Sequence, residues 1–300
     1  MISDAFIQTE CPVCGSNKRK ELFRIDHRES NVLSLLEVED ARKNVFVVQC
    51  EGCEHKYMNP VIKPELMDKY YSIISSEFYH NAGVDFICDN TVEYADYLKI
   101  ISKIKPSGKV LEVGCGKGVL LKLLQDNGYQ TFGIEPSPIG SKYAKEVLHL
   151  DIDNNFLHES RFRNEKFDVI IVIDVVEHIL NIQPFLDDLK KVLSDGGLLF
   201  IGTGNIDSLN ARIAGSNWFY YYTWEHVSFF NVKKMDQVLT SKGFKNIHIR
   251  KTSLRHRPMT NFFEFGKNII KLFVNPFLKK KYYHGLAYDH MIVTAIKQPD

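Results

Sequence analysis

The feature that most constrains the fold of this chain is a run of three alternate glycines directly after an apolar segment, in Val110-Leu111-Glu112-Val113-Gly114-Cys115-Gly116-Lys117-Gly118. The apolar residues predict a buried strand. The residues that follow predict a helix over Val119–Asn127, with Gly128 as the residue that ends it. Glycine lacks a Cβ, so such a turn can adopt dihedral angles closed to other residues and lie directly against a ligand. The sequence therefore predicts a ligand site at the start of this helix.

The spacing of the glycines helps to distinguish a dinucleotide cofactor from one that contains a single nucleoside. The dinucleotide pattern G-x-G-x-x-G needs a glycine at position 119, which is Val119 here. A second apolar segment, Thr131–Ile134, ends in Glu135. One carboxylate at the end of a strand can accept hydrogen bonds from both hydroxyls of a ribose. The pattern therefore favours a nucleoside cofactor that is not a dinucleotide.

The order of features continues into Phe167–Ile173, which reads as a buried strand, and the residues Asp174-Val175-Val176-Glu177-His178 after it. Together with the glycine turn and Glu135, this segment resembles the class I S-adenosylmethionine-dependent methyltransferases. The resemblance implies a doubly wound, Rossmann-like α/β fold with a seven-stranded sheet. Its last strand, predicted over Met291–Ile296, is expected to insert antiparallel. The implied cofactor is S-adenosylmethionine.

The third strand is predicted over Leu148–Leu150, which would place Asp151 and Ile152 beside the adenine. Asp151 could accept a hydrogen bond from the exocyclic amine, although a solvated loop acid is the alternative. The complete candidate set for the cofactor is Tyr79, Glu112, Gly114, Cys115, Gly116, Gly118, Glu135, Pro136, Asp151, Ile152 and Asp174.

Two C-x-x-C pairs near the start of the chain, Cys11 with Cys14 and Cys50 with Cys53, predict a zinc site. Four thiolates complete a tetrahedral coordination sphere and leave no position for a catalytic water, so the zinc is expected to be structural. Two disulfides or a redox pair are the alternatives, and a reducing cytoplasm disfavours them. His55 is a weaker candidate ligand.

The chain is predicted to divide into a zinc-binding module with a tyrosine-rich lid helix at 1–80 and a methyltransferase domain at 81–300. The paired cysteines, Asn59-Pro60, Tyr70-Tyr71 and Tyr79 resemble bacterial methyltransferases with an N-terminal zinc-binding segment, including sugar C-methyltransferases. That resemblance implies a sugar, nucleotide-sugar or surface-glycan precursor as the acceptor.

Two insertions, at 204–231 and 261–285, are predicted to lie outside the sheet as lids. The first contains a dense aromatic run, Trp218 to Phe230, and is expected to cover the ligand crevice. The second mixes phenylalanines with lysines over Asn261–Lys281. That mixture could face a membrane or a lipid-linked substrate, and a helix packed on the core is the favoured alternative.

Composition limits the partners and the compartment. The chain of 300 residues has a formal net charge of +1, which gives no general attraction to nucleic acid. The first residues carry no basic and apolar targeting pattern, so a cytoplasmic location is expected. A zinc-containing RNA methyltransferase and a catalytically silent binding protein remain as alternatives to a small-molecule methyltransferase.

The chemistry of methyl transfer suggests where the catalytic residues lie. Transfer from a sulfonium requires alignment and exclusion of water, and a hydroxyl or carbon acceptor must also lose a proton. His226 is the first candidate for the base, with Glu225 to orient it or to act itself. His178 is a candidate for shaping the pocket, and Tyr222 for contacting the sulfonium. The Asp174-Val175-Val176-Glu177 loop lacks the N-P-P-Y pattern typical of planar amine acceptors, which favours oxygen or carbon.

Overall fold

A computed structural model describes residues 5–25, 45–67, 69, 84–221, 224–252 and 289–299. Tyr79, Tyr222, the Tyr70-Tyr71 pair and the 261–285 insertion lie outside these residues. The strands are β1 (Phe6–Ile7), β2 (Arg19–Arg24), β3 (Phe46–Cys50), β4 (Lys56–Asn59), β5 (Val61–Ile62), β6 (Lys109–Val113), β7 (Gln130–Ile134), β8 (Asp151–Asp153), β9 (Phe167–Ile173), β10 (Leu193–Gly204), β11 (Ser228–Phe229), β12 (Phe244–Thr252) and β13 (His290–Lys297). The α-helices of these parts are α1 (Val84–Ile104), α2 (Val119–Asp126), α3 (Pro138–Glu146), α4 (Ile182–Val192), α5 (Leu209–Ala214) and α6 (Val232–Ser241).

The main sheet has seven strands in the order β12-β13-β10-β9-β6-β7-β8. The pairs β10–β9, β9–β6, β6–β7 and β7–β8 are parallel, whereas β13 runs antiparallel to both of its neighbours. This confirms the predicted α/β fold with an antiparallel last strand. The carboxyl ends of β6, β7, β9 and β10 share one edge of the sheet, and the start of β13 lies at the same edge because Gly204 pairs with His290.

The central strands are apolar along nearly their whole length because helices cover both faces of the sheet. On one face, Leu186 and Leu189 of α4 and Leu239 of α6 pack against the sheet. On the other face, Ile101 of α1 and Leu121 of α2 do the same. The ligand crevice must therefore open at the strand ends rather than on a face.

Most helix ends follow the sequence signals, whereas the predicted third strand is wrong. Ser137 caps α3, and its Oγ accepts a hydrogen bond from Gly140 N at 3.2 Å. Residues 148–150 form the turn after α3 instead of a strand, because His149 has a left-handed φ of 55° and Leu150 N donates to Ala144 O. Strand β8 begins only at Asp151.

The N-terminal module contains a small sheet that is completed by a strand from the far side of the sequence. Strands β2, β3 and β4 form a meander, and β11 pairs with β4 to give the order β11-β4-β3-β2. Ser228 lies opposite Tyr57, and Phe229 lies opposite Lys56. The 204–231 insertion therefore supplies part of the module's sheet.

The aromatic residues of that insertion are core residues. Trp218 and Trp224 are 0% and 1% exposed, and they belong to one apolar cluster with Phe6, Val47 and Met58 of the module. Phe6 and Trp224 meet edge to face with 5.5 Å between ring centroids. The aromatic density of the insertion is thus explained by packing between the module and the main sheet.

Among the helices in the described parts of the chain, none is both long and apolar enough to cross a membrane.

Candidate active site and metal centre

The glycine turn has the geometry that the sequence predicted. Gly114, Gly116 and Gly118 have φ values of 76°, 53° and 75°, a region that residues with a Cβ rarely adopt. A Cβ on Gly114 would lie 2.5 Å from Cγ2 of Val175, so the turn also lies against the loop after β9. The backbone itself therefore forms the wall of the crevice at this point.

Glu135 connects the glycine turn to the loop after β7. Its Oε2 accepts a hydrogen bond from Gly116 N at 2.7 Å, and its Oε1 accepts one from Ser137 N at 2.7 Å. Burial raises the pKa of this carboxyl, and the two backbone donors oppose that shift. Each oxygen keeps a lone pair, so the carboxylate can still accept from the two hydroxyls of a ribose. Pro136, between Glu135 and Ser137, accepts a bond through its carbonyl from Asn154.

Glu112 is the clearest sign that this crevice is built for a ligand. Its side chain is 5% exposed, and its Oε2 has no hydrogen-bond partner among the described residues. Burial, and then the charge of Glu135, raise the pKa of Glu112 well above its ordinary value. A buried acceptor without a donor is costly, and an ammonium or hydroxyl group of a ligand would satisfy it. S-Adenosylmethionine carries an ammonium group on its methionine part and hydroxyls on its ribose, so these residues fit that cofactor.

Asp151 and Ile152, the two residues predicted to lie beside the adenine, occupy the first two positions of β8. Asp151 stands at the first position of β8, is exposed, and pairs with Arg161. Ile152 is buried in the core beneath the turn. At the carboxyl end of β8, Asn154 donates to Glu135 O at 2.7 Å, and Asp153 accepts from Ser160 Oγ. Asp153 and Asn154 are therefore closer to the crevice edge than Asp151.

Cys115 contributes to the turn through its backbone. Its N and that of Gly114 both donate to Ile134 O, at 3.1 and 2.8 Å. Its side chain is 8% exposed, and burial raises the pKa of the thiol well above its ordinary value. This thiol is a packing group and not a nucleophile.

A second polar cluster lies at the crevice edge, where β9 and β10 end. Glu177 is fully buried and is held on both oxygens: Thr203 Oγ1 donates at 2.9 Å, and the Tyr220 hydroxyl donates to the other oxygen. The Tyr220 oxygen accepts in turn from Gly204 N at 2.9 Å. Asp174, at the end of β9, is exposed in the crevice and has a left-handed φ of 50°. The buried Glu177, held by two hydrogen bonds, thus lies beside the more exposed carboxyl group of Asp174.

His226 lies against this cluster in a defined tautomer. Its Nδ1 is 3.0 Å from Tyr220 O, and because a carbonyl only accepts, Nδ1 carries the proton. Nε2 is then the nitrogen that can accept a proton. Burial, and then the neighbouring His178 ring at 4.9 Å between centroids, lower the pKa of His226 well below its ordinary value. The imidazole is therefore neutral near pH 7, as a general base must be.

The same residues could also hold a cation. One ligand atom each from Glu177, His178 and His226 lie within 4.8 Å of one another. Two imidazole nitrogens and a carboxylate are suitable ligands for a divalent transition metal. Glu225 precedes His226 in the sequence and is partly buried. The structure therefore brings His178 and His226 together with Glu177.

The sequence reasoning missed a carboxylate–histidine pair on the other side of Tyr220. Asp289 Oδ1 is 2.8 Å from His290 Nδ1, and the His290 ring lies 5.6 Å from the Tyr220 ring. Burial would lower the pKa of His290, but the bond to Asp289 and the charge of Asp174 outweigh it and raise the pKa. The signal was an Asp-His dipeptide directly before the predicted last strand. Glu93, which Tyr97 binds, was missed as well, and burial raises its pKa to about 7.

The four predicted zinc ligands come together as one cluster. Their sulfur atoms all lie within 4.8 Å of one another, with 3.6 Å between Cys11 and Cys53 and 3.5 Å between Cys14 and Cys50. Zinc–sulfur bonds of about 2.3 Å in a tetrahedron place the sulfurs about 3.8 Å apart, and a disulfide would need about 2 Å. The spacing therefore fits a bound metal and does not fit two disulfides. His55 is outside the cluster, because its Nε2 bonds to Ser228 Oγ at 2.8 Å.

The comparisons with known proteins agree with this architecture. Residues 85–249, which make up more than half of the chain, match a family profile described as a methyltransferase domain, Methyltransf_23. The chain belongs to this methyltransferase family. Its glycine turn, Glu135 and the Glu177–His226 cluster all lie inside the matched residues, so the crevice is that of an S-adenosylmethionine-dependent methyltransferase domain.

The curated relatives of this methyltransferase chain include two ubiquinone biosynthesis O-methyltransferases. The mitochondrial protein of Rattus norvegicus is 29% identical over 177 residues, covering 53% of this chain and 50% of the relative. The Nitrobacter winogradskyi protein is 35% identical over 101 residues, covering 32% of this chain and 39% of the relative. The chain thus spans about half or less of the length of these relatives.

Solved structures share the fold of this methyltransferase. A Thermotoga maritima protein described as a SAM-dependent methyltransferase and possible histamine N-methyltransferase superposes with a TM-score of 0.54 at 16% identity, covering 75% of this chain and 98% of that one. The plantazolicin methyltransferase BpumL gives a TM-score of 0.51 at 17% identity, covering 79% and 92%. At these identities the likeness concerns the fold alone.

Proposed function

We propose that the protein transfers a methyl group from S-adenosylmethionine to a hydroxyl group of a small metabolite. The observation that carries this proposal is the pairing of two sites in one crevice. Glu135 and the unsatisfied Glu112 flank the glycine turn on the donor side. A neutral, oriented imidazole, His226, stands at the end of β10 on the acceptor side.

The donor supplies an electrophilic methyl group on its sulfonium. Glu135 would bind the ribose of the donor, and Glu112 its ammonium group, which would hold the donor in a fixed orientation. His226 Nε2 would accept the proton that the acceptor hydroxyl loses as its oxygen attacks. Glu177 holds Tyr220 in place, and the Tyr220 carbonyl fixes the His226 tautomer. Asp174, open in the crevice, is placed to contact the donor or the acceptor.

Two classes of acceptor remain, and each has an observation in its favour. The names of the curated relatives specify O-methylation in ubiquinone biosynthesis, which favours an aromatic hydroxyl. The second candidate is a sugar or nucleotide-sugar, with methylation at oxygen or carbon. The folded Cys11, Cys14, Cys50 and Cys53 cluster favours it, because the resemblance to sugar methyltransferases rests on those cysteines.

The test measures donor binding and turnover separately. Calorimetry with S-adenosylhomocysteine should show one site per chain and a loss of affinity in Glu135→Ala. Release of S-adenosylhomocysteine from S-adenosylmethionine is then followed with ortho-dihydroxybenzenes and with nucleotide-sugars as acceptors. Turnover with one class identifies the acceptor, and mass spectrometry of the product distinguishes oxygen from carbon methylation. Absence of any S-adenosylhomocysteine binding would refute the proposal.

The cysteine cluster is proposed to hold one structural zinc ion. Burial raises the pKa of the Cys11 thiol, and raises that of Cys53 to about 11, so these groups become thiolates only with a cation between them. The cation would fix the two knuckles of the module and take no part in the methyl transfer.

A further inference from the structure

We propose that His55 and Ser228 position the catalytic imidazole of His226, so that the N-terminal module forms part of the acceptor site. The proposal rests on the proposed function in one respect, the role of His226 as base. In this proposal, His55 and Ser228 contact neither the donor nor the acceptor. They act by holding the backbone next to His226 in place.

The backbone after His226 is held from two sides. Val227 N donates to Glu177 O at 2.8 Å, and Val227 O accepts from Met58 N at 2.9 Å. One residue thus links the buried carboxylate segment of the methyltransferase domain to strand β4 of the module. Because His226 is the next residue along the chain, its position depends on both contacts.

The pairing of β4 with β11 is secured by one buried side-chain hydrogen bond. His55 Nε2 lies 2.8 Å from Ser228 Oγ, although the two residues are 173 positions apart in the sequence. They are 1% and 0% exposed, so water cannot replace either partner. The His55 ring also packs against Phe230 with 5.0 Å between centroids.

The module side of this bond is itself fixed by the second cysteine knuckle. His55 O accepts from Cys50 N at 2.9 Å, and His55 follows Cys53 by two residues. Lys234 of α6 donates to Cys53 O, which ties the same knuckle to the methyltransferase domain. His55 therefore stands between the cysteine cluster and the strand that begins two residues after His226.

The expected consequence concerns the acceptor step alone. Removing the His55 side chain leaves the Ser228 hydroxyl buried and unpaired, which favours a shift of β11. A misplacement of about 1 Å at a reacting group can cost about a hundredfold in rate. We expect His55→Ala and Ser228→Ala each to lower kcat about tenfold. The affinity for S-adenosylhomocysteine should stay within twofold, because Glu135 and the glycine turn lie on other elements.

The experiment compares these two variants, their double variant, His55→Gln and a control, Gln49→Ala. Gln49 lies in the same module, and its side-chain amide donates to Glu54 O at 3.4 Å near the surface. Positioning through one shared bond predicts that the double variant is no slower than either single variant. It also predicts partial rescue in His55→Gln, whose amide can replace Nε2, and wild-type behaviour in the control. The folded fraction is checked by thermal melting at each step.

Hydrogen exchange supplies a readout that does not depend on activity. Peptides that cover 224–230 should exchange faster in His55→Ala than in the wild type, whereas peptides of β6 and β7 should not change. If the exchange of 224–230 is unchanged, or if kcat per folded molecule equals that of the wild type, the positioning role is wrong. If His226→Ala retains full turnover while exchange still increases, the base assignment fails and the coupling of module and loop stands.

Discussion

Some residues of the candidate site both face the ligand crevice and hold its backbone in place. Glu135 is the clearest case, because the carboxylate predicted to bind a ribose also accepts bonds from Gly116 N and Ser137 N. The sequence indicated its first role from its place at the end of a strand. The second role could not be seen, since it depends on how close the two loops come to each other.

The raised pKa of Glu135 predicts a pH dependence of donor binding. Only the ionised carboxylate can accept from both ribose hydroxyls, so the affinity for S-adenosylhomocysteine should be highest above the folded pKa. It should fall below that pKa, by up to tenfold per pH unit for one proton. Calorimetry between pH 5 and 8 should show this slope, and Glu135→Gln should bind more weakly with a shallower slope. An equally steep slope in the variant would assign the proton to another group.

We expect Glu112 to lower the stability of the ligand-free protein while it contributes to donor binding. Burial raises the pKa of Glu112 in the fold, so this carboxyl lowers the stability of the ligand-free protein as the pH rises above the ordinary glutamate range, and that loss diminishes as the pH falls. Glu112→Gln should therefore raise the melting temperature of the ligand-free protein at pH 7, by about 2–4 °C for each kcal/mol gained. The variant should also bind S-adenosylmethionine more weakly. Thermal melts with and without S-adenosylhomocysteine measure both effects, and a lowered melting temperature without ligand would contradict the argument.

Replacing His226 should reduce the rate of methyl transfer without reducing the affinity for the donor. Replacing the base by alanine should lower kcat by about a hundredfold or more, because general-base catalysis contributes about that much. The affinity for S-adenosylhomocysteine should be nearly unchanged. His248→Ala is the matched control, since that histidine lies exposed on β12. Steady-state kinetics with the identified acceptor decide the point, and full turnover in His226→Ala would move the role to another group, such as His290.

At the level of elements, local chemistry was predictable wherever a residue acts within its own segment. The cap of α3 by Ser137 and the left-handed Gly128 after α2 follow from side-chain preferences alone. The prediction of a third strand at residues 148–150 was wrong. These residues are partly apolar, as in a strand, but hydrogen bonds to α3 fold them back into a turn. Periodicity over three residues cannot separate these two cases.

The contacts between the cysteine knuckles and α4 lead us to expect that the stability of the protein depends on a bound metal ion. Ile182 N donates to Pro12 O at 3.1 Å, and Gln183 Nε2 donates to Val13 O at 2.9 Å, so the start of α4 rests on the first knuckle. Elemental analysis of protein purified without added zinc should find one zinc per chain. Cys14→Ser should lower the zinc content and the melting temperature, whereas Lys20→Ala, exposed on the neighbouring strand, should change neither. A wild-type protein without metal would refute the zinc proposal.

For the whole molecule, the fold class could be predicted from the sequence, whereas the contact between the N-terminal module and the methyltransferase domain could not. The glycine turn, Glu135 and the last strand each leave a local pattern. The contact between β4 and β11 leaves none, because a pairing of only two residues between strands about 170 positions apart carries no periodicity. The aromatic insertion was predicted to be a lid for the same reason: its partners, such as Phe6 and Met58, lie at the other end of the sequence.

This contact between the two parts predicts a single unfolding transition. The buried cluster around Trp218 and Trp224 draws residues from both parts, so neither part can melt without exposing it. Differential scanning calorimetry of the full chain should show one cooperative peak, and the calorimetric and van't Hoff enthalpies should agree. Two resolved peaks would mean that the module melts independently of the methyltransferase domain.

The shared sheet also sets the order of events during synthesis on the ribosome. Strands β2, β3 and β4 leave the ribosome early, but the edge of β4 has no partner until Ser228 and Phe229 have been made. At about 5–20 residues per second, that edge waits roughly ten seconds or more with its backbone groups unpaired. The module is thus translated before the methyltransferase domain but completes its sheet only after most of that domain has been made.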